Sequence, residues 1–177
     1  MKKAADLFLF FLIVSVLGWA YEVFLEVVVY QWGYSDRGVL FGPYCPVYGF
    51  GALLFLLCFG RLLRSGLPAA ARVLLVFLGC MAAATLLELA TSYLLEALTG
   101  SWPWQTYRNY RIQFEGRIAL SPSIRFGLGG LLILYGLLPL LKRLREKISL
   151  GMRKSAAAVC AVLFITDVVC TCVQKLF

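Results

Sequence analysis

Five acidic residues sit within apolar stretches of this chain: Glu22 and Glu26, Glu88 and Glu96, and Asp167. On a helix, Glu22 and Glu26 are one turn apart and share a face with Ser15 and Gly18. Thr85, Glu88, Ser92 and Glu96 form a second stripe at spacings of three and four, and Asp167, Cys170, Thr171 and Gln174 form a third. A carboxylate at the centre of a bilayer costs about 2.5–3.5 kcal/mol on insertion scales, so such stripes turn inward, toward one another or toward water. Glu26 and Glu96 lie near outer helix ends and can reach interfacial water, whereas Glu22, Glu88 and Asp167 are deeper. The chemistry open to these groups is cation binding, proton exchange, or fixed pairing with Arg37, Arg117 and Arg125.

Other chemistry is poorly represented. Histidine is absent, which removes imidazole as ligand, base or pH switch. Four of the six cysteines lie in apolar runs, and Cys170-Thr171-Cys172 lacks the two-residue spacer of zinc and redox motifs. No Ser-based nucleophile motif or Asp-rich metal motif occurs, so an enzyme and a cofactor are not expected. An intramembrane enzyme acting on lipid, with paired carboxylates as acid and base, ranks last. The net charge of +8 resides in short loops beside apolar spans. These cations read as topology signals and anchors for the lipid bilayer rather than as a nucleic-acid surface.

The elements that must position these residues are membrane helices. Apolar residues make up 62% of the chain, bunched in blocks of about 20, the length that crosses a hydrocarbon core. The fold class expected is an all-α integral membrane protein of about five transmembrane helices forming a single domain over residues 1–177. The spans are read as roughly 7–29, 46–63, 73–98, 123–141 and 155–173. The first outruns a signal-peptide h-region and lacks a clear cleavage site, so it reads as an uncleaved span. Eleven Lys and Arg fall on the side of Lys2, Lys3 and the Lys142–Lys154 connection, against six on the other. The positive-inside rule then predicts a multi-pass protein of the cell membrane with its N-terminus cytoplasmic and its C-terminus outside.

The strongest local feature is the turn from Gly38 to Gly51, which holds Gly42, Pro43, Cys45, Pro46 and Tyr48. Its prolines and glycines predict irregular backbone at membrane depth, tolerated only when buried in protein or lining a wet cavity. The helix it opens presents free N–H groups able to hold a carboxylate or anion. A tight hairpin with glycines for close helix contact is the alternative. A related pattern recurs downstream. Arg37, Leu40, Pro43 and Tyr48-Gly-Phe-Gly51 resemble Arg117, Leu120, Pro122 and Phe126-Gly-Leu-Gly129, and each stretch follows a span carrying two glutamates. Either a helical hairpin has been duplicated, with one extra helix added and the copies related by an axis along the membrane normal, or Gly- and Leu-rich segments coincide by chance.

These residues resemble the ABC-transporter type IV (CmpB-like) family of bacterial membrane proteins. The matching elements are Leu17-Gly18-Trp19 with Glu22, and Arg37-Gly38-x-Leu40-x-Gly42-Pro43-x-Cys45-Pro46-x-Tyr48-Gly49-x-Gly51. Glu88, Thr91-Ser92-Tyr93 with Glu96, and Gly116-Arg117-Ile118 with Leu120, Ser123 and Gly127 extend the match to roughly residues 8–140. Two departures stand out: Leu89 where the family usually has an aromatic, and Trp102-Pro103-Trp104-Gln105 where it tends to have Trp-Trp-Asp-Tyr. The resemblance implies a bacterial inner-membrane protein linked to transport. Any ATPase must be a separate polypeptide, since this chain has no Gly-x-x-x-x-Gly-Lys-Ser/Thr phosphate loop.

The leading expectation is a membrane transport protein or permease subunit, working as a homo-oligomer or with a partner membrane subunit. Its outward-facing acidic pocket would be lined by Glu22, Glu26, Glu88 and Glu96 and capped by Arg37, Arg117 and the turn Gly42, Pro43, Cys45, Pro46 and Tyr48. The alternative is a non-transporting accessory or sensory subunit whose buried charges are structural ion pairs.

Overall fold

Apolar residues that cannot hydrogen-bond to lipid leave the backbone to satisfy itself, and helices do so within one segment. The structure, a computed structural model, describes residues 4–34, 38, 40–102 and 104–176, with backbone alone at Thr99, Lys175 and Leu176. Helix α1 (Ala4–Phe24) continues into a π-helical turn at Leu25–Val29. Helix α2 is Pro46–Phe59 and α3 is Ala69–Thr99. Gly100 closes α3 in the left-handed conformation (φ 77°), its N–H donating to the Glu96 carbonyl. Helix α4 (Leu120–Leu131) runs through a second π turn, Leu132–Leu137, into α5 (Leu138–Lys147), and α6 is Leu150–Leu176.

Four of the resulting rods are long and apolar enough to cross a membrane: Ala4–Val29, Ala69–Leu98, Leu120–Lys147 and Leu150–Gln174. Their outward faces are apolar, with Leu98 and Leu132 each 72% exposed, as expected where lipid rather than water is the solvent. The chain is a nearly all-α, multi-pass membrane protein. Helix α2 differs from the expected span 46–63. It ends at Phe59, and Leu62–Arg64 form a short 3-10 turn. Its 14 residues rise only about 21 Å, well short of a hydrocarbon core.

Two compact units divide the chain. One comprises the described residues of Met1–Leu54 and Leu140–Phe177, the other Phe55–Pro139. In the first, Phe11 packs edge-on against Phe50 of α2 and Phe164 of α6, with Phe10, Val14 and Ala52 buried alongside. The Asp6 carboxylate near the start of α1 is buried and pairs with Arg153 and, at 3.4 Å, with Arg145. Together these contacts make α1 and α6 parallel.

The start of α2 has a structural cause. The N–H of Cys45 donates to the carbonyl of Ser15 at 2.9 Å, so α2 begins beside the middle of α1. Ser15 lies about 20 Å from the helical end at Val29. The connection after α1 therefore folds back into the hairpin before α2 starts, and the irregular backbone expected at Gly38–Pro46 lies at that depth.

In the second unit α3 packs along α4, burying Val76, Cys80 and Leu134. Thr85 donates to Ser123 at 2.7 Å, which again sets the start of the second helix beside the middle of the first. The connection contains strands β1 (Gln113–Phe114) and β2 (Ile118–Ala119), antiparallel and paired Gln113 with Ala119 and Phe114 with Ile118. Glu115 (φ 52°) and Gly116 (φ 65°) both adopt positive φ, which is the type I′ geometry that matches strand twist.

Each unit thus contains a hairpin with the same packing. A 66-residue offset relates Phe11 to Phe77 and Glu22 to Glu88 on the first helices. A 78-residue offset relates the buried Cys45, Gly49 and Ala52 to the buried Ser123, Gly127 and Gly130 on the second. A Cβ on Gly49 would lie 2.6 Å from the Phe11 carbonyl oxygen, and one on Gly127 2.6 Å from the Phe77 ring. Gly51 and Gly129, two positions on, face open space in both copies. Gly49→Ala and Gly127→Ala should each destabilise by about 1–3 kcal/mol through overpacking, whereas Gly51→Ala and Gly129→Ala should be neutral or slightly stabilising. Thermal unfolding of the four variants in detergent checks this. Equal behaviour within either pair would break the packing equivalence.

Candidate functional site

In the first unit, Glu22 lies on α1 between the level of Ser15 and the π turn. The Tyr48 hydroxyl donates to its Oε1, placed there because the Tyr48 ring lies against Gly18 with no room for a side chain between them. Tyr21 meets the Tyr48 ring edge-on at 6.4 Å. Glu26 is buried within the π turn. Arg37 lies outside the described residues.

The segment leading into α2 is held by a residue from the far end of the chain. Asp167 of α6 accepts the N–H of Phe41 at 3.0 Å on Oδ1 and of Gly42 at 2.8 Å on Oδ2. Tyr44 donates its hydroxyl to Oδ2, and Thr171 donates to Oδ1 at 3.2 Å. The expected anion site at free N–H groups is therefore present, but one turn before α2, and a carboxylate of the chain itself fills it. Pro43 and Pro46 carry no N–H, so the short stretch presents few donors beyond those Asp167 takes. Burial, and then the bond to Asp167, hold the Tyr44 phenol above its ordinary value, so it remains a donor at neutral pH. Cys45 is buried beneath this turn.

The second unit contains the polar stripe of α3, and each member meets a partner from the connection or from α4. Thr85 bonds to Ser123, as above. Glu88 Oε1 accepts the Tyr107 hydroxyl at 2.9 Å, whereas its Oε2 is buried with no hydrogen-bond partner among the described residues. Burial first, and then the neighbouring Glu88, raise the Tyr107 phenol well above its ordinary value. The Tyr107 ring meets Tyr110 edge-on at 5.6 Å, and the Tyr110 hydroxyl accepts from Arg125 at 2.8 Å.

Arg117 follows the β-turn and is buried. Its guanidinium pairs with Glu96, reaches Ser92 Oγ at 3.4 Å, and lies 3.4 Å from Glu115. The Tyr93 and Trp102 rings sandwich it, each centroid 4.1 Å away. The indole N–H of Trp102 donates to the Gly116 carbonyl at 3.2 Å, and that of Trp104 to the Arg117 carbonyl at 2.9 Å. A surface depression in this unit is lined by Tyr110, Arg111, Ile112, Leu120, Ser121, Ile124 and Arg125, and none of the carboxylates borders it.

The residues singled out from sequence are thus distributed between the units. Glu22, Glu26, Gly42, Pro43, Cys45, Pro46 and Tyr48 belong to the first, and Glu88, Glu96 and Arg117 to the second. Within them the structure pairs Glu22 with Tyr48, Glu88 with Tyr107, and Glu96 with Arg117. Among the described residues, two phenols serve the deep glutamates. Asp6 and the anchoring role of Asp167 were not legible, because their partners are more than 120 residues distant in sequence.

No curated protein and no solved structure matches the chain. A family profile does match, over residues 9–172, and it takes in both hairpins, both deep glutamates and Asp167. The chain belongs to the family described as "Putative ABC-transporter type IV".

Proposed function

We propose that this chain is a membrane transport protein or permease subunit, and that Glu22 and Glu88 bind the transported or coupled cation. One observation carries the reading. Glu88 is a carboxylate at membrane depth with one oxygen held by Tyr107 and the other buried without a hydrogen-bond partner among the described residues. A purely structural acid at such depth is expected to engage both oxygens, since an unpaired buried charge is strongly unfavourable. In this reading the chain performs no covalent chemistry. It acts as a homo-oligomer or beside a partner membrane subunit, with any ATPase on a separate polypeptide, and it keeps its N-terminus on the cytoplasmic side of the bacterial inner membrane.

A solute-uptake assay in proteoliposomes tests it. Glu22→Gln and Glu88→Gln should each lower flux at least tenfold while the protein still reconstitutes, and unchanged flux in both variants would remove the assignment. The alternative, a non-transporting accessory subunit, draws on Asp167 and the Glu96–Arg117 pair, whose engagement needs no ligand. Stable co-purification with a partner, together with no flux from the chain alone, would favour it.

A further inference from the structure

We propose that Glu22 and Glu88 are two copies of one proton-binding site, carried on the duplicated hairpin, so that each chain exchanges two protons. The inference rests on the transport reading of these residues and names the occupant.

The first support is positional equivalence. Glu22 and Glu88 are related by the same offset that relates Phe11 to Phe77, and each of those phenylalanines receives the equivalent glycine of the second helix, Gly49 or Gly127. Glu88 faces the connection of its hairpin and Glu22 faces the start of α2. The second support is chemical. Both carboxylates accept a phenol hydroxyl, yet the phenols come from different places in the two copies. Tyr48 belongs to α2, and its positional equivalent is Phe126, which has no hydroxyl. The second copy draws Tyr107 from the connection instead. A carboxylate–phenol pair reached by two routes points to a shared requirement at the site rather than to inherited packing alone.

The donor set selects the proton. A hard metal ion takes six or more oxygens. Glu88 faces one phenol, and among the described residues no group of three or more carboxylates or thiols gathers around either glutamate. A proton needs only the vacant Oε2 of Glu88. It removes the net charge from a buried oxygen, while Tyr107 keeps its bond to Oε1.

Among the described residues the titratable and charged groups around each site are few. Glu88 meets Tyr107 directly. Beyond it lie Tyr110 and Arg125, which bond to each other, and further along α3 is the Glu96–Arg117 pair with Glu115. Glu22 meets Tyr48, with Tyr21 and Glu26 on its own helix and Cys45 before α2. Helix α2 carries no charged residue, and Asp167 of α6 is engaged by Phe41, Gly42, Tyr44 and Thr171.

An apolar carbodiimide tests this without any flux measurement. It reacts with a protonated carboxyl: the oxygen adds to the carbodiimide carbon, the proton moves to nitrogen, and the adduct rearranges to an N-acylurea with nothing lost. The purified full chain would be treated with dicyclohexylcarbodiimide across about pH 5 to about pH 9 and the adducts located by peptide mass spectrometry. Both Glu22 and Glu88 should be labelled at the acid end and lose label as pH rises. Tyr48→Phe and Tyr107→Phe remove the phenol that each glutamate accepts from, so each should change the labelling profile of its own glutamate and leave that of the other unmoved. These variants retain both acids, so the test survives if Glu→Gln substitutions fold poorly. No label on either glutamate, label independent of pH, or unmoved profiles in the Phe variants would overturn the proposal. Flux that depends on both acids without labelling refutes the proton site and leaves transport standing. Labelling with flux indifferent to Glu→Gln supports the site and refutes the transport reading.

Discussion

Asp167→Ala should release the segment between Gly38 and Pro46 and expose Cys45. The carboxylate is the common acceptor for Phe41 N–H, Gly42 N–H, Tyr44 Oη–H and Thr171 Oγ–H. Hydrogen bonds to a charged acceptor contribute about 1.5–3 kcal/mol each in favourable cases. The four share one group and are not additive, so a loss on the order of 3 kcal/mol is expected. Two of the donors are backbone groups at a depth where lipid offers no replacement. Asp167→Asn should fall between, because an amide presents one oxygen to the donors and places an N–H₂ beside others. Cys45 is 6% exposed in the native fold, so its reaction with a maleimide, located by peptide mass spectrometry, reports the release directly. Unchanged Cys45 reactivity in Asp167→Ala would mean that the turn is held by its prolines and by the Ser15 contact alone.

Arg117→Lys should be nearly as disruptive, although it keeps the charge. The guanidinium is flat, lies between the Tyr93 and Trp102 rings, and forks toward Glu96, Ser92 and Glu115. A lysine ammonium is compact and strongly hydrated, and it can satisfy the carboxylates or the rings but not both. The ratio of folded to unfolded connection should fall on the order of tenfold. Trp102 is buried by this arrangement, so its indole should become accessible to a neutral quencher such as acrylamide in Arg117→Lys. Arg111→Lys, at an exposed position of the same connection, is the control and should leave quenching unchanged. Equal quenching in both variants would show that the hairpin and the Trp102 and Trp104 bonds order the connection without the guanidinium.

The two expectations share a design. In each hairpin a polar connection folds back to the middle of the first helix, and an ionic group, half-buried Asp167 in one and buried Arg117 in the other, draws it in. In the first unit that group is a carboxylate receiving backbone N–H groups. In the second it is a guanidinium held between aromatic faces and carboxylates. The phenol that reaches Glu88 belongs to the second connection, and the one that reaches Glu22 lies in the first turn of α2, just after the anchored segment. Mutations at Asp167 or Arg117 can therefore alter the behaviour of Glu22 or Glu88 without touching either.

Much of this was readable from residue types and spacing. The runs of about 20 apolar residues specify membrane helices, because a helix alone satisfies its backbone within one such segment. The spacings of Thr85, Glu88, Ser92 and Glu96 predicted an inward stripe, and the structure supplies each with a protein partner. The aromatic-Gly-x-Gly echo marked two helix starts, and both prove to be places where the first glycine touches the facing helix and the second does not. Periodicity carries such information because it depends on near neighbours in one helix.

The partners of the charges were decided only in three dimensions. Among the described residues Glu22 and Glu88 are met by tyrosines, and Asp6 finds Arg153 across the length of the chain. Helix α2 starts where its apolar run suggests but stops four residues early, and a backbone bond from Cys45 to Ser15 sets that start beside the middle of α1. Sequence alone determined that acids lie inside a membrane and on which helix faces. Tertiary structure decided which donor each acid receives, since a hydrogen bond depends on ångström-scale approach between elements that no local spacing encodes.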